Sequence, residues 1–186
     1  LLDLFRMHPD CTELEGMVAD VLGRCRDQAR YVAWLGTAAD KPKPGTMVRL
    51  RLADALLAKA DSFRRGMDLL DALLKEQPNV ATVWASLARG LALEGREDRS
   101  ALAWEIAAGL EPRNEALARM HAGVLARRHG PERALAYLRS RAEGCAGSFL
   151  GDLTVLGLLD SPWCPEGSDL YRELLAWGLR HWPGSI

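Results

Sequence analysis

Lysine is nearly absent from this 186-residue chain: 4 lysines stand against 20 arginines. Acidic residues balance the two together, and the formal net charge is −1 at pH 7. No bulk field therefore recruits nucleic acid or an acidic membrane surface. Apolar runs are short, and none approaches the roughly 18–20 residues that a membrane-spanning helix requires. Direct insertion into a bilayer by such a helix is excluded. Cysteine is limited to four positions. Cys11 and Cys25 fall at opposite ends of one expected helix, roughly 20 Å apart at about 1.5 Å rise per residue, which is beyond disulfide reach. Cys145 and Cys164 bracket another short expected helix. Four unpaired thiols suit a reducing compartment, so a cytoplasmic location is expected. A periplasmic one is the alternative if an upstream signal or anchor has been removed. The opening "LLDLFRMHPD" is too short and too charged for a signal peptide, and a polypeptide that starts at Leu1 is expected to be an excised or processed piece.

Signatures of chemistry are missing as well. No Gly-rich phosphate loop follows a strand, because no segment alternates convincingly as a strand does. "GCAGSFLG" carries glycines at a spacing that matches no nucleotide motif and reads as a link. His121 and His129 stand eight apart on one expected helix without the Cys, Asp or Glu that would complete a metal set. His121 falls at a core-facing position, where a hydrogen-bonded structural histidine is expected. "PWCP" lacks the second cysteine of a redox pair, and no nucleophile–base pair has a diagnostic spacing. The segment is expected to be non-enzymatic, without cofactor or metal.

What the sequence does hold is a repeat. In the 34-residue frame Ala81–Asn114, Trp84, Leu87, Ala88 and Leu91 occupy positions 4, 7, 8 and 11, one face of a helix with 3.6 residues per turn. Gly95 sits at 15 in the charged turn "EGRED". Ser100, Trp104 and Ala107 at positions 20, 24 and 27 define one face of a second helix. Small residues at 8 and 20 let the two helices approach closely, while the large ones fill the space around that contact. Pro112 at position 32 ends the unit, since its ring clashes with a continuing helix and it has no N–H.

This pattern resembles the tetratricopeptide repeat, with Leu91 where Tyr is usual and Ser100 where Ala is usual. One period earlier, Met47–Val80 places Leu50, Ala53, Leu57, Gly66, Leu70, Leu73 and Pro78 in phase, with Asp54 at position 8 as a departure. One period later, Ala118, Ala122, Leu125, Ala134 and Leu138 fit, while His121 at position 7 and Arg141 at 27 do not. The resemblance divides the sequence into the tail of a preceding repeat (1–11), a degenerate repeat (12–46), three repeats (47–80, 81–114 and 115–151) and a degenerate C-terminal repeat or cap (152–186). In the last of these, "YRELLAWGLRHWPGS" supplies the second helix. Breaks are expected near Pro9, Pro42–Pro44, Pro78 and Pro112, with no sheet. Trp84 and Trp104 should be largely buried, and Trp163, in a Pro-flanked loop, more accessible.

The resemblance implies an all-α, tetratricopeptide-type helical-hairpin solenoid, a right-handed superhelix whose first helices line a concave face. The inward positions then carry Arg51 and Lys59, Arg89, and Arg119 and Arg127, with acidic Glu13 and Asp20 confined to the earlier degenerate copy. A groove of arginines suits carboxylates, so the expected partner is a protein or peptide, acidic or offering a free C-terminus. The chaperone-binding clamp of such domains is only loosely matched, because position 9 holds Asp20, Ala55, Arg89 and Gly123 and never Asn. An Arg-rich composition would also scatter arginines over every solvated face. The sequence reads as a chaperone-like scaffold that helps assemble a larger complex, by family analogy a bacterial one. Two other readings stay open: the repeat region of a larger enzyme such as a glycosyltransferase, with catalysis outside the segment, and a homo-oligomerisation module whose groove takes a helix from a second copy. Pentatricopeptide-type RNA reading is disfavoured, since position 5 holds Gly16, Arg51, Ala85 and Arg119, which form no code.

Overall fold

The computed structural model describes residues 28–40, 44–143 and 169–181, together with Met17, Val18, Val21 and Gly23. Every regular element among the described residues is a helix: α1 (Gln28–Ala39), α2 (Thr46–Leu57), α3 (Phe63–Glu76), α4 (Ala81–Leu93), α5 (Glu97–Leu110), α6 (Glu115–His129), α7 (Pro131–Glu143) and α8 (Asp169–His181). Helices pack as sequential hairpins, most extensively α2 on α3 and α6 on α7. Breaks fall at Pro44–Gly45, at Gln77–Val80 around Pro78, and at Glu111–Asn114 around Pro112. Pro9, Pro42, Glu13, Asp20, Trp163, all four cysteines and the segments "GCAGSFLG" and "PWCP" lie outside the described residues.

The protein divides into two compact units, Leu1–Glu94 and Gly95–Ile186. In the first, α2 packs against α1, α3 and α4. That is why Val48, Leu50, Leu52, Ala53, Leu56 and Leu57 are all buried: a helix touched from several sides loses a single polar face. The outer helix α3 buries only Gly66, Met67, Leu70 and Leu73, the i, i+4, i+7 stripe of a helix with one wet side. Gly66 stands at repeat position 20, and the expected close approach is there. A Cβ added to it would lie 3.1 Å from both the Ala53 carbonyl oxygen and the Leu57 nitrogen. At the open end of the α2–α3 hairpin, Arg49 donates to both carboxylate oxygens of Glu76, at 2.5 and 2.9 Å, and Thr46 and Gln77 hydrogen-bond each other. The Arg49–Glu76 hydrogen bonding, with the attraction of the opposite charge, raises the Arg49 pKa above its ordinary value and holds Glu76 below the usual carboxylate range.

In the second unit α6 packs against α5 and α7. Asn114 caps α6, its Oδ1 accepting from the Leu117 N–H at 3.3 Å, which satisfies one donor left over at a helix start. Gly130 closes α6 at φ +90°, and Gly95 takes φ +75° in the turn before α5, conformations that cost an L residue far more than glycine. Asp98 in the first turn of α5 pairs with Arg128 in the last turn of α6. Each charge also opposes the partial charge at its own helix end.

Two expectations about large side chains part here. Trp104 is buried, 5% exposed. Trp84 is only partly buried, because its indole reaches back to the turn before α4, where Nε1–H donates to the Pro78 carbonyl at 2.7 Å. An indole has one donor and no acceptor, and at this position the oxygen that satisfies it lies at the surface.

Candidate functional site

The five basic residues of the expected groove fall into two sets. Arg51, Lys59 and Arg89 belong to the first unit, and Arg119 and Arg127 to the second. All five are exposed. Lys59 does not stand on a first helix as the repeat phase predicts. α2 ends at Leu57, and Lys59 lies in the turn beyond it, where its N–H closes a short turn onto the Leu56 carbonyl at 3.2 Å.

Arg89 reaches from α4 to α2. Its Nη2 donates to Asp54 Oδ1 at 3.0 Å and to Ser86 Oγ at 2.8 Å. Asp54, the residue out of pattern at position 8, is thus the acid that holds Arg89, and the half-sheltered carboxylate has its cation. Arg51 stands one turn before Asp54 on α2, so the pair ties Arg89 to the side of α2 that carries Arg51. In the second unit Arg119 pairs with Glu115 one turn earlier on α6, at 3.3 Å, and Arg127 sits in the last turn of the same helix. Arg89 and Arg119 therefore each already have a carboxylate. The Glu115–Arg119 pair was legible as an i, i+4 spacing. The Asp54–Arg89 pair, 35 residues apart, has no local signature.

The other out-of-pattern residues, His121 and Arg141, share one neighbour, Tyr137. His121 on α6 is 7% exposed and lies edge-on to Tyr137 of α7, with ring centroids 4.8 Å apart and planes at 75°. The Arg141 guanidinium stands over the same Tyr137 ring, 5.7 Å from its centroid. Arg141 also donates to the end of α5, through Nη1 to the Ala108 carbonyl at 3.3 Å and through Nη2 to the Pro112 carbonyl. The carbonyls at the end of a helix lack intrahelical donors, so a cation there is well placed. The expected hydrogen-bonded histidine is corrected in one respect: Nδ1 of His121 is buried without a hydrogen-bond partner, as is the Tyr137 hydroxyl. Ring packing, not a polar bond at Nδ1, holds the imidazole. Burial lowers the His121 pKa below its ordinary value, Glu105 on α5 opposes the shift, and Arg141 adds to it. Burial likewise pushes the Tyr137 phenol up.

Among the described residues no three His, Cys, Asp or Glu side chains gather as metal ligands, and no helix is long and apolar enough to cross a membrane. Sequential helical hairpins with small residues at the crossings define a tetratricopeptide-type fold. A solved structure agrees: the protein is similar to MamA (residues 41 to the end) from Desulfovibrio magneticus RS-1, a tetratricopeptide-repeat protein, at a TM-score of 0.59 and 16% identity over 77% of this chain and 82% of that one. It also matches "MamA AMB-1 P212121" (TM-score 0.37, 19% identity, 72% and 90% covered) and "MamA MSR-1 C2" (0.30, 20%, 71% and 93%). No family model and no curated protein matches the sequence. At these identities the likeness shows the fold alone.

Proposed function

We propose that this protein is a non-enzymatic interaction scaffold that takes an acidic or C-terminal protein segment on a basic face of its first helices. The observation that supports this best is the Arg51–Asp54–Arg89 arrangement in the first unit. Two exposed guanidinium groups share a side of α2, and that of Arg89 is held in place from Asp54 and Ser86. A guanidinium already oriented loses less freedom when a carboxylate arrives. In the second unit Arg119 and Arg127 place the same kind of charge on α6. The repeat boundaries at 47, 81 and 115 give the phase in which such residues recur, with positions 5 and 9 carrying the contacts.

The test is to reverse Arg51, Arg89 and Arg119 to Glu together and to capture partners with the whole protein. Exposed pairs of this kind contribute about 0–1 kcal/mol each to stability, so the variant should fold. Capture of the natural partner should fall, and wild-type capture should weaken with salt as the Debye length shortens from about 10 Å at 0.1 M to about 3 Å at 1 M. A triple variant that binds as tightly as wild type, with no salt dependence, removes the basic face from consideration.

A further inference from the structure

The basic face makes no use of the cluster buried at the α5–α6–α7 junction. His121 is the buried titratable group there, and the groups facing it are known on each packed helix: Glu105 from α5, and Tyr137 and Arg141 from α7. A neutral imidazole needs to donate from only one ring nitrogen. The imidazolium must donate from both, and Nδ1 has no acceptor. The aromatic face that could shelter a cation is that of Tyr137, which already has Arg141 over it. A second positive charge would thus arrive next to the first, inside packed structure, where an uncompensated charge is costly. The one facing carboxylate, Glu105, belongs to an exposed residue, so solvent screens its attraction.

We infer that His121 is an acid-operated latch, holding α7 on α6 while its imidazole is neutral and releasing α7 when the ring is protonated. The release carries three further contacts with it. Arg141 leaves the Ala108 and Pro112 carbonyls at the end of α5, and the Arg139–Glu173 pair that joins α7 to α8 opens. The sign follows from the direction of the shift. With the folded pKa below the unfolded one, the open form binds more protons, so the latch is fully closed above the ordinary imidazole pKa of about 6.5 and weakens as the pH falls below it.

Two measurements on the whole protein test this. NMR titration of the His121 ring should give a midpoint below the ordinary value of about 6.5, and a midpoint at or above it overturns the latch. Hydrogen exchange, corrected for the intrinsic pH dependence, should show protection lost on α6 and α7 between pH 7.5 and pH 5. The opening ratio should grow by up to about tenfold for every pH unit by which the midpoint lies below the ordinary value. Protection on α2 and α3 should stay unchanged. Loss spread equally over both units, or no loss on α6 and α7, refutes the proposal. His121→Leu, which installs the apolar residue expected at that repeat position, should abolish the pH-dependent part of the exchange. If that variant does not fold, the ring titration of the wild type still decides.

Discussion

Gly66 and Gly90 rank in opposite orders by distance and by physics, and replacing each with alanine separates the two. A Cβ at Gly90 would meet Met67 Sδ at 2.5 Å, while one at Gly66 would meet nothing nearer than 3.1 Å. Distance alone makes Gly90→Ala the worse change. The atoms met say otherwise. Met67 Sδ is near the end of a flexible side chain and can turn aside at a cost of about 0.5–1.5 kcal/mol. The two nearest atoms to Gly66, the Ala53 carbonyl oxygen and the Leu57 nitrogen, are backbone of α2, and they move only if the α2–α3 crossing opens. Overpacking of that kind costs about 1–3 kcal/mol. Both substitutions gain up to about 1 kcal/mol by replacing a helical glycine with alanine. The expected net is a loss of about 0–2 kcal/mol for Gly66→Ala and a change within about 0.5 kcal/mol for Gly90→Ala, the differences of those ranges. Both residues lie in the same unit, so melting followed by circular dichroism compares them directly. About 1 kcal/mol corresponds to roughly 4–8 °C in a domain of 60–100 residues. If Gly90→Ala lowers the melting temperature as much as Gly66→Ala, the backbone crossing is not what requires glycine at position 66.

Trp104→Ala should cost about 3–5 kcal/mol by leaving a large cavity, and Trp84→Ala distinctly less, since the partly buried indole gives up some packing and one hydrogen bond of about 1 kcal/mol. Equal urea midpoints for the two variants would contradict the burial difference. Glu76, with its pKa held down by Arg49, contributes stability present above the unfolded carboxylate value of about 4.3 and withdrawn as the pH falls through the lower folded one. Between pH 7 and pH 3 the melting temperature of wild type should therefore fall further than that of Glu76→Gln, and parallel declines would remove the pair from the account of acid stability.

Helix, turn and hairpin order were legible because they rest on short-range regularities. Proline at 78 and 112 cannot continue the helix that precedes it, and apolar residues at positions 4, 7, 8 and 11 can share a face only at 3.6 residues per turn. The requirement for a small residue at Gly66 was legible for the same reason, since the spacing already demanded a close crossing. The sequence also named the residues out of pattern, Asp54, His121 and Arg141, but not their reason. That reason is tertiary. Asp54 meets an arginine from α4, and His121 on α6 meets Tyr137 on α7, contacts between residues too far apart in sequence for any local pattern to encode, while Arg141 stands over that same tyrosine from one turn along α7. Burial of Trp84 was misjudged on the same ground: the frame puts the indole on the inner face, but its one donor had to find an oxygen, and packing left that oxygen at the rim. Periodicity decided which side of each helix turns inward, while the neighbouring helices decided what each residue meets there, and with it the lowered pKa of His121 and the partners of Arg89.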